Sequence, residues 1–177
     1  NGGKTQTVTA RSGRAPVTEQ ATRIILKAEH LGTNAQEPSE GPIANLIDGN
    51  TATFFHTAWS VAIPGPHWLQ IRLPEALTEG HWKFWYAPRN NGRQKPTDFD
   101  ILVSTGGSDW TLVKKFTKDE DGLPVTATDA YTSPNLPVTQ PFDHIRMVVN
   151  AVNSGEVFFT MSEFRLWQVK VVDPEAE

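Results

Sequence analysis

A chain of 177 residues is long enough to bury one hydrophobic core, and 38% hydrophobic against 20% charged residues excludes a disordered or collagen-like polymer. Lys+Arg 16 against Asp+Glu 20 leaves a net charge of -4, which argues against nucleic acid as a partner, and the lack of cysteine removes disulfides and cysteine nucleophiles. No apolar run approaches the roughly 20 residues that span a bilayer, so no membrane insertion is expected.

In chain order, residues 1–20 read as a linker or tail, rich in Thr, Ser and Gly, and its start looks like a cut in a longer precursor. One domain is expected over 21–170, with a second linker at 171–177. Short strand-like runs fill the domain: 22–29, 67–73 around Trp68, Ile71 and Leu73, the aromatic 82–86, and 98–104 with Phe99, Ile101 and Val103 alternating against polar neighbours. Runs at 110–116, 145–150 and 158–167 complete the set. Turn signals separate them at Pro64-Gly65-Pro66, Asn90-Asn91-Gly92, Gly106-Gly107 and Asn153-Ser154-Gly155. The proline-rich stretch 117–143 reads as a long irregular excursion. Many short strands, six Trp, nine Phe and no sustained helical period predict an all-β domain, a sandwich or jelly roll. The tryptophans read first as core material.

Catalytic signatures are missing: there is no Gly-x-Ser-x-Gly elbow, no His-Glu-x-x-His, no phosphate loop and no dinucleotide glycine pattern. Ser104 to Asp109 is a hairpin turn, and Asp119-Glu120-Asp121 is a solvated loop. The chain reads as a non-enzyme. The segment 43–60 differs, because it packs oxygen donors around a sharp turn at Gly49. Asp48 offers a carboxylate, Thr53 a hydroxyl, and Asn45 and Asn50 carbonyls; Glu163, far along the chain, could complete a calcium shell. A metal-free Asx turn explains the same residues equally well.

The run Asn-Leu-Ile-Asp-Gly-Asn at 45–50, with Thr53, Phe55-His56-Thr57 and Trp59, resembles the signature of discoidin domains, also called factor V/VIII type C domains. That group includes the family 32 carbohydrate-binding modules. The segments 67–73, 86–92, 100–104 with Trp110, 145–149 and 162–167 follow in the family's order. The resemblance covers roughly 22–169 and implies a galactose-binding-like β-sandwich jelly roll with a structural calcium. Its calcium shell falls on Asn45, Asp48, Asn50, Thr53, Ser162 and Glu163. Its sugar site falls on His56, Arg89 and Asn91, with Phe158 or Trp59 as an aromatic wall, although Trp59 reads first as core. Arg93 and Lys95 make that loop locally basic. The implied function is a non-catalytic module recognising galactose-type glycans, monomeric within a larger secreted, periplasmic or cell-surface protein. The missing cysteines suit a bacterial source. The alternative is a protein- or lipid-docking module of the same fold; the polar Asn90 and Asn153 loops argue against lipid.

Overall fold

Residues 82–86 alternate Trp82, Phe84 and Tyr86, all buried, with half-exposed Lys83 and Trp85, and this alternation makes their strand the inner wall of a sandwich. The structure, a computed structural model, describes residue 13 and residues 15–175. Its strands are β1 (Thr18–Ile24), β2 (Leu31–Thr33), β3 (Phe55–His56), β4 (His67–Leu77), β5 (His81–Ala87), β6 (Pro96–Ser104) and β7 (Thr111–Thr117). After a single helical turn, α1 (Lys118–Asp121), come β8 (Tyr131–Thr132), β9 (Leu136–Pro137), β10 (Phe142–Val152), β11 (Thr160–Met161) and β12 (Glu163–Val172). One sheet runs β1-β12-β5-β8, with β9 also on β5; the other runs β2-β4-β10-β6-β7; β11 and β3 form a small ribbon. Every pairing is antiparallel. The all-β sandwich expected from the sequence is the observed fold.

The core lies between the two large sheets. Phe84 is its hub, with the rings of Tyr86, Phe99, Phe116, Tyr131 and Phe164 all within 6.5 Å of it or of one another. Leu69, Ile71, Ile145 and Met147 close the opposite wall.

Three sequence readings shift. The strand expected at 22–29 is β1, which begins at Thr18, inside the segment read as tail, and ends at Ile24; Ala28–His30 is a 3-10 turn. The sheet also continues to Val172, past the expected boundary at 170, because β1 and β12 pair from Thr18↔Val172 onward. Of the two expected linkers, residues 1–12, 14, 176 and 177 lie outside the described residues. The tryptophans are the third shift: Trp82 is the one of the six that is fully buried. Trp68 and Trp110 lie on the outer sheet face, where Arg146 sits between them at 3.9 and 4.1 Å, and Trp85 stacks with Arg165 at 4.5 Å. Cation–π contact lets large rings cover a sheet exterior without a core to enter.

The registers bring one set of chain ends together. Glu163 at the start of β12 faces Ala87 at the end of β5, Val152 at the end of β10 faces Pro96 at the start of β6, and Thr160 faces His56. Loops 88–95 and 153–159, β3 and the residues leading into it therefore share one end of the sandwich.

Candidate functional site

His56 is delivered by β3 and wrapped by the turn before it. The His56 N–H donates to the Gly41 carbonyl at 3.0 Å, and a Cβ at Gly41 would lie 2.6 Å from the His56 nitrogen. With φ +64 as well, that position requires glycine. The imidazole is buried. Its Nδ1 lies 2.7 Å from the Thr57 carbonyl, which can only accept, so Nδ1 carries the proton and Nε2 keeps its lone pair. Burial lowers the pKa of His56; the Thr57 carbonyl and Glu40 oppose that, and Arg89 adds to it. The ring is therefore a neutral acceptor at neutral pH.

Three aromatic rings surround it: Phe158 at 5.7 Å, Phe54 at 6.2 Å and Trp59 at 6.3 Å. Trp59, read first as core, is 49% exposed. Phe158 is half-buried, and its neighbour Phe159 is the ring that enters the core. Arg89 lies with its guanidinium 3.6 Å over the Phe54 ring. Beyond Trp59 and Phe158 the wall continues as an open apolar depression of about 330 Å³, lined by Val61, Ile63, Pro64 and Val157.

Two glutamates complete this end, and the sequence reading missed both. Glu40 Oε1 accepts from the Trp59 indole N–H at 3.0 Å and stands 4.0 Å from His56 Nε2. Glu37, buried, accepts from the backbone N–H groups of Trp59, Ser60 and Ser39 and from the Ser39 and Ser60 hydroxyls. Burial alone would raise its pKa, but the Ser60 hydroxyl and the backbone donors outweigh that and hold it at about 2. Glu37 thus pins the backbone that carries Trp59. No motif marks either glutamate; the only local signal is the obligatory glycine after Glu40.

Because its folded pKa lies below the ordinary 4.5, the stability that Glu37 contributes is complete above pH 4.5 and is lost as pH falls through about 2. Glu37→Gln is expected to lower the melting temperature at pH 7 and to flatten its acid-side decline. Calorimetry of both proteins from pH 7 to pH 2 checks this.

Asn91 and Arg93 have partners on their own loop and on the neighbouring one. Asn91 Oδ1 accepts from the Arg93 N–H at 3.2 Å, and the Asn91 amide nitrogen points to Gln94 Oε1 at 3.5 Å, so this side chain is spent on its own loop. Arg93 is exposed and paired with Glu156 at 2.5 Å.

The oxygen-rich loop lies beside this site. Gly49 has φ +73, as its sharp turn demands. Asp48 accepts from the Asn50 N–H at 2.9 Å and from the Thr53 hydroxyl, and the Asn50 carbonyl accepts from Thr53 Oγ1 at 2.9 Å. Burial works to raise the Asp48 pKa, yet these hydrogen bonds keep it below the usual carboxylate range. Glu163 comes in from β12 at 0% exposure, and neither of its oxygens has a hydrogen-bond partner in good geometry; the Ser162 hydroxyl is also buried and unpaired. Burial, and then the Asp48 carboxylate, push Glu163 up to about 7, with the nearby Gly49 N–H and the Arg165 charge pulling the other way. A buried orphan carboxylate facing a second carboxylate, amid hydroxyls and carbonyls, is a donor set that suits a hard divalent cation. The Asn45 side-chain amide donates to the Phe54 carbonyl at 2.9 Å, linking this loop to the ring under Arg89.

The F5/8 type C domain model matches residues 26–164. The sialidase of Micromonospora viridifaciens is 28% identical over 134 residues, which are 72% of this chain and 19% of that protein; the chain therefore spans about a fifth of its length. Among solved structures, CpGH89CBM32-5 from Clostridium perfringens, in complex with GalNAc-beta-1,3-galactose, has a TM-score of 0.66 at 17% identity and covers 82% of this chain and 99% of its own. The family 32 carbohydrate-binding module of C. perfringens NanJ, in complex with galactose, has a TM-score of 0.61 at 20% identity and covers 84% and 100%. The sandwich is thus shared with family 32 carbohydrate-binding modules, and with its pattern matched from residue 26 to residue 164 the chain belongs to the F5/8 type C domain family.

Proposed function

We propose that this chain is a non-catalytic carbohydrate-binding module that holds a galactose-type sugar at the His56 end of the sandwich. It would serve as a monomeric unit of a larger extracytoplasmic, glycan-processing or glycan-binding protein. The observation that carries the reading is the complementary set of polar groups gathered among aromatic rings beside the apolar depression. His56 Nε2 accepts, the Arg89 guanidinium donates as a planar fork, and Glu40 accepts, while Trp59 and Phe158 offer faces to the C–H patch of a sugar ring. The sugars named in the two similar structures, and the sialidase relative, support this class of ligand. Among the described residues no helix is long and apolar enough to cross a membrane.

Calcium enters the same proposal as a structural ion. Asp48, Thr53, Glu163 and Ser162, with the carbonyls of Asn45 and Asn50, would hold it, and bound there it supplies charge that satisfies the two facing carboxylates. This end of the sandwich would then be a fixed platform, with the ligand groups presented from its loops.

Because burial lowers the His56 pKa, neutral His56 is complete above the ordinary histidine value of 6.5 and is lost only as pH falls through the lowered one. Galactose affinity is therefore expected to be flat from pH 7 to 6.5 and to fall in more acid solution, while His56→Ala binds too weakly to measure throughout. Titration calorimetry of both proteins across that range checks it; an affinity that rises on acidification contradicts a neutral acceptor.

One observation favours the second reading, a lipid- or protein-docking module. The sequence argument against lipid rested on polar loops at Asn90 and Asn153, yet Trp59, Val61 and Val157 are exposed together beside the apolar depression. Co-sedimentation with anionic vesicles, set against titration with galactose and N-acetylgalactosamine, separates the two. Vesicle binding without sugar binding would replace the first reading by the second.

A further inference from the structure

Lys95 has the sequence appearance of a solvated loop lysine, and in the structure it is 0% exposed. Its chain lies beneath the 89–95 loop with the ammonium turned up into it. There Nζ donates to the Arg89 carbonyl and stands 3.5 Å from Asn91 Oδ1. The Arg89 carbonyl also accepts from the Asn91 N–H at 2.7 Å, and Asn91 Oδ1 from the Arg93 N–H at 3.2 Å, so the ammonium sits against the two acceptors around which the loop turns. The base of the loop is clamped to the neighbouring one: the Lys95 N–H donates to Asn153 Oδ1 at 3.0 Å, the Asn153 N–H to the Lys95 carbonyl at 2.9 Å, and the Gln94 N–H to the Ser154 hydroxyl at 2.8 Å. Gln94 sits at φ 56, a left-handed conformation that a glutamine adopts only when its surroundings fix it.

A buried cation is ordinarily matched by a carboxylate, because desolvating an unpaired charge is costly. Among the described residues Lys95 has no carboxylate within ion-pair distance. The charge that acts on it is that of Arg89 in its own loop, while Arg93 of that loop pairs with Glu156 of the neighbouring one. Burial, and then the Arg89 charge, depress Lys95 to about 8. A lysine kept in so unfavourable a place contributes little to fold stability through its charge. What the charge does there is strengthen two hydrogen bonds that set the path of the backbone at Arg89.

We infer that Lys95 is the positioning residue of the ligand loop, its sealed ammonium holding the Arg89 carbonyl and Asn91 side chain so that the Arg89 guanidinium stays over Phe54 and faces the sugar. The inference rests on the reading that Arg89 contacts the ligand, but its structural half can be read without any ligand.

Arg89 lies over the Phe54 ring, so its side-chain protons carry a ring-current shift in the free protein. NMR of wild type and Lys95→Met, ligand-free, reads that shift; titration with galactose and N-acetylgalactosamine then reads affinity. The expected result is that the shift collapses toward the random-coil value in Lys95→Met, with at least a tenfold loss of affinity and a melting temperature that changes little. Wild type should show the same change in its Arg89 and Asn91 signals between pH 7 and 9.5, a range in which His56 stays neutral. That titration decides the matter if Lys95→Met does not fold. Retained Arg89 shifts in the variant, or wild-type signals that do not move over that pH range, overturn the inference. Collapsed shifts in a protein that binds neither sugar uphold the positioning role and instead overturn the sugar reading.

Discussion

Withdrawing calcium from the domain is expected to lower its melting temperature by about 8–16 °C. The folded site pairs the buried, unpartnered Glu163 with Asp48, and the unfolded chain has no such arrangement. An ion that binds only the folded state at about 1,000 times its Kd stabilises it by about 4 kcal/mol. For a chain of this size each kcal/mol is worth about 2–4 °C. Asp48→Ala should remove the response altogether, because it leaves Glu163 as the only carboxylate. Affinity for sugar should fall as well, since the Asn45 amide ties this loop to the Phe54 carbonyl and Phe54 lies under Arg89. Scanning calorimetry in chelator and in millimolar calcium checks the proposal. A shift below about 2 °C, or one that persists in Asp48→Ala, would mean that the Asx-type turn stands without a metal.

Arg89→Ala is expected to erase measurable sugar binding. A shallow site with one ring's worth of contact binds on the order of 0.1–1 mM, because ordering a flexible glycan consumes much of what the contacts gain. Hydrogen bonds to a charged group contribute about 1.5–3 kcal/mol each, so losing even one costs about 10- to 150-fold and moves the Kd beyond ordinary titration. The fold should hardly notice. Arg89 makes no ion pair among the described residues, and its stacking on Phe54 is worth about 0.5–1 kcal/mol, or roughly 1–4 °C. Calorimetric titration with the melting curve recorded on the same sample separates the two effects. A variant that binds as well as wild type would move the ligand elsewhere.

Where a residue's role is written in its own segment, the sequence shows it. The alternation in β5 and β6 predicted both strands and their buried faces, and the Asn-Leu-Ile-Asp-Gly-Asn run with His56 predicted which loops would meet. Roles made by contact across the chain were hidden. β3 and β11 are two residues each, too short for any period, and exist because Thr160↔His56 and Met161↔Phe55 pair over a hundred residues. Glu37 and Glu40 are ordinary acidic residues in a polar stretch until Trp59 arrives 22 and 19 positions later. Lys95 and Trp68 depart from what their residue types suggest in opposite directions: the lysine is buried and the tryptophan lies on an outer sheet face. The backbone carbonyl that receives one, and the guanidinium of Arg146 that covers the other, come from elsewhere in the fold.

Whether sugar is held at His56, Trp59 and Arg89 is read by NMR titration of the calcium-loaded protein with galactose and N-acetylgalactosamine. The expected result is saturable shifts confined to the side chains of His56, Trp59 and Arg89 and to the amides of residues 88–95 and 157–159, with a Kd on the order of 0.1–1 mM. Shifts centred on the Trp68–Arg146–Trp110 face, or no saturable shift with either sugar, would contradict it.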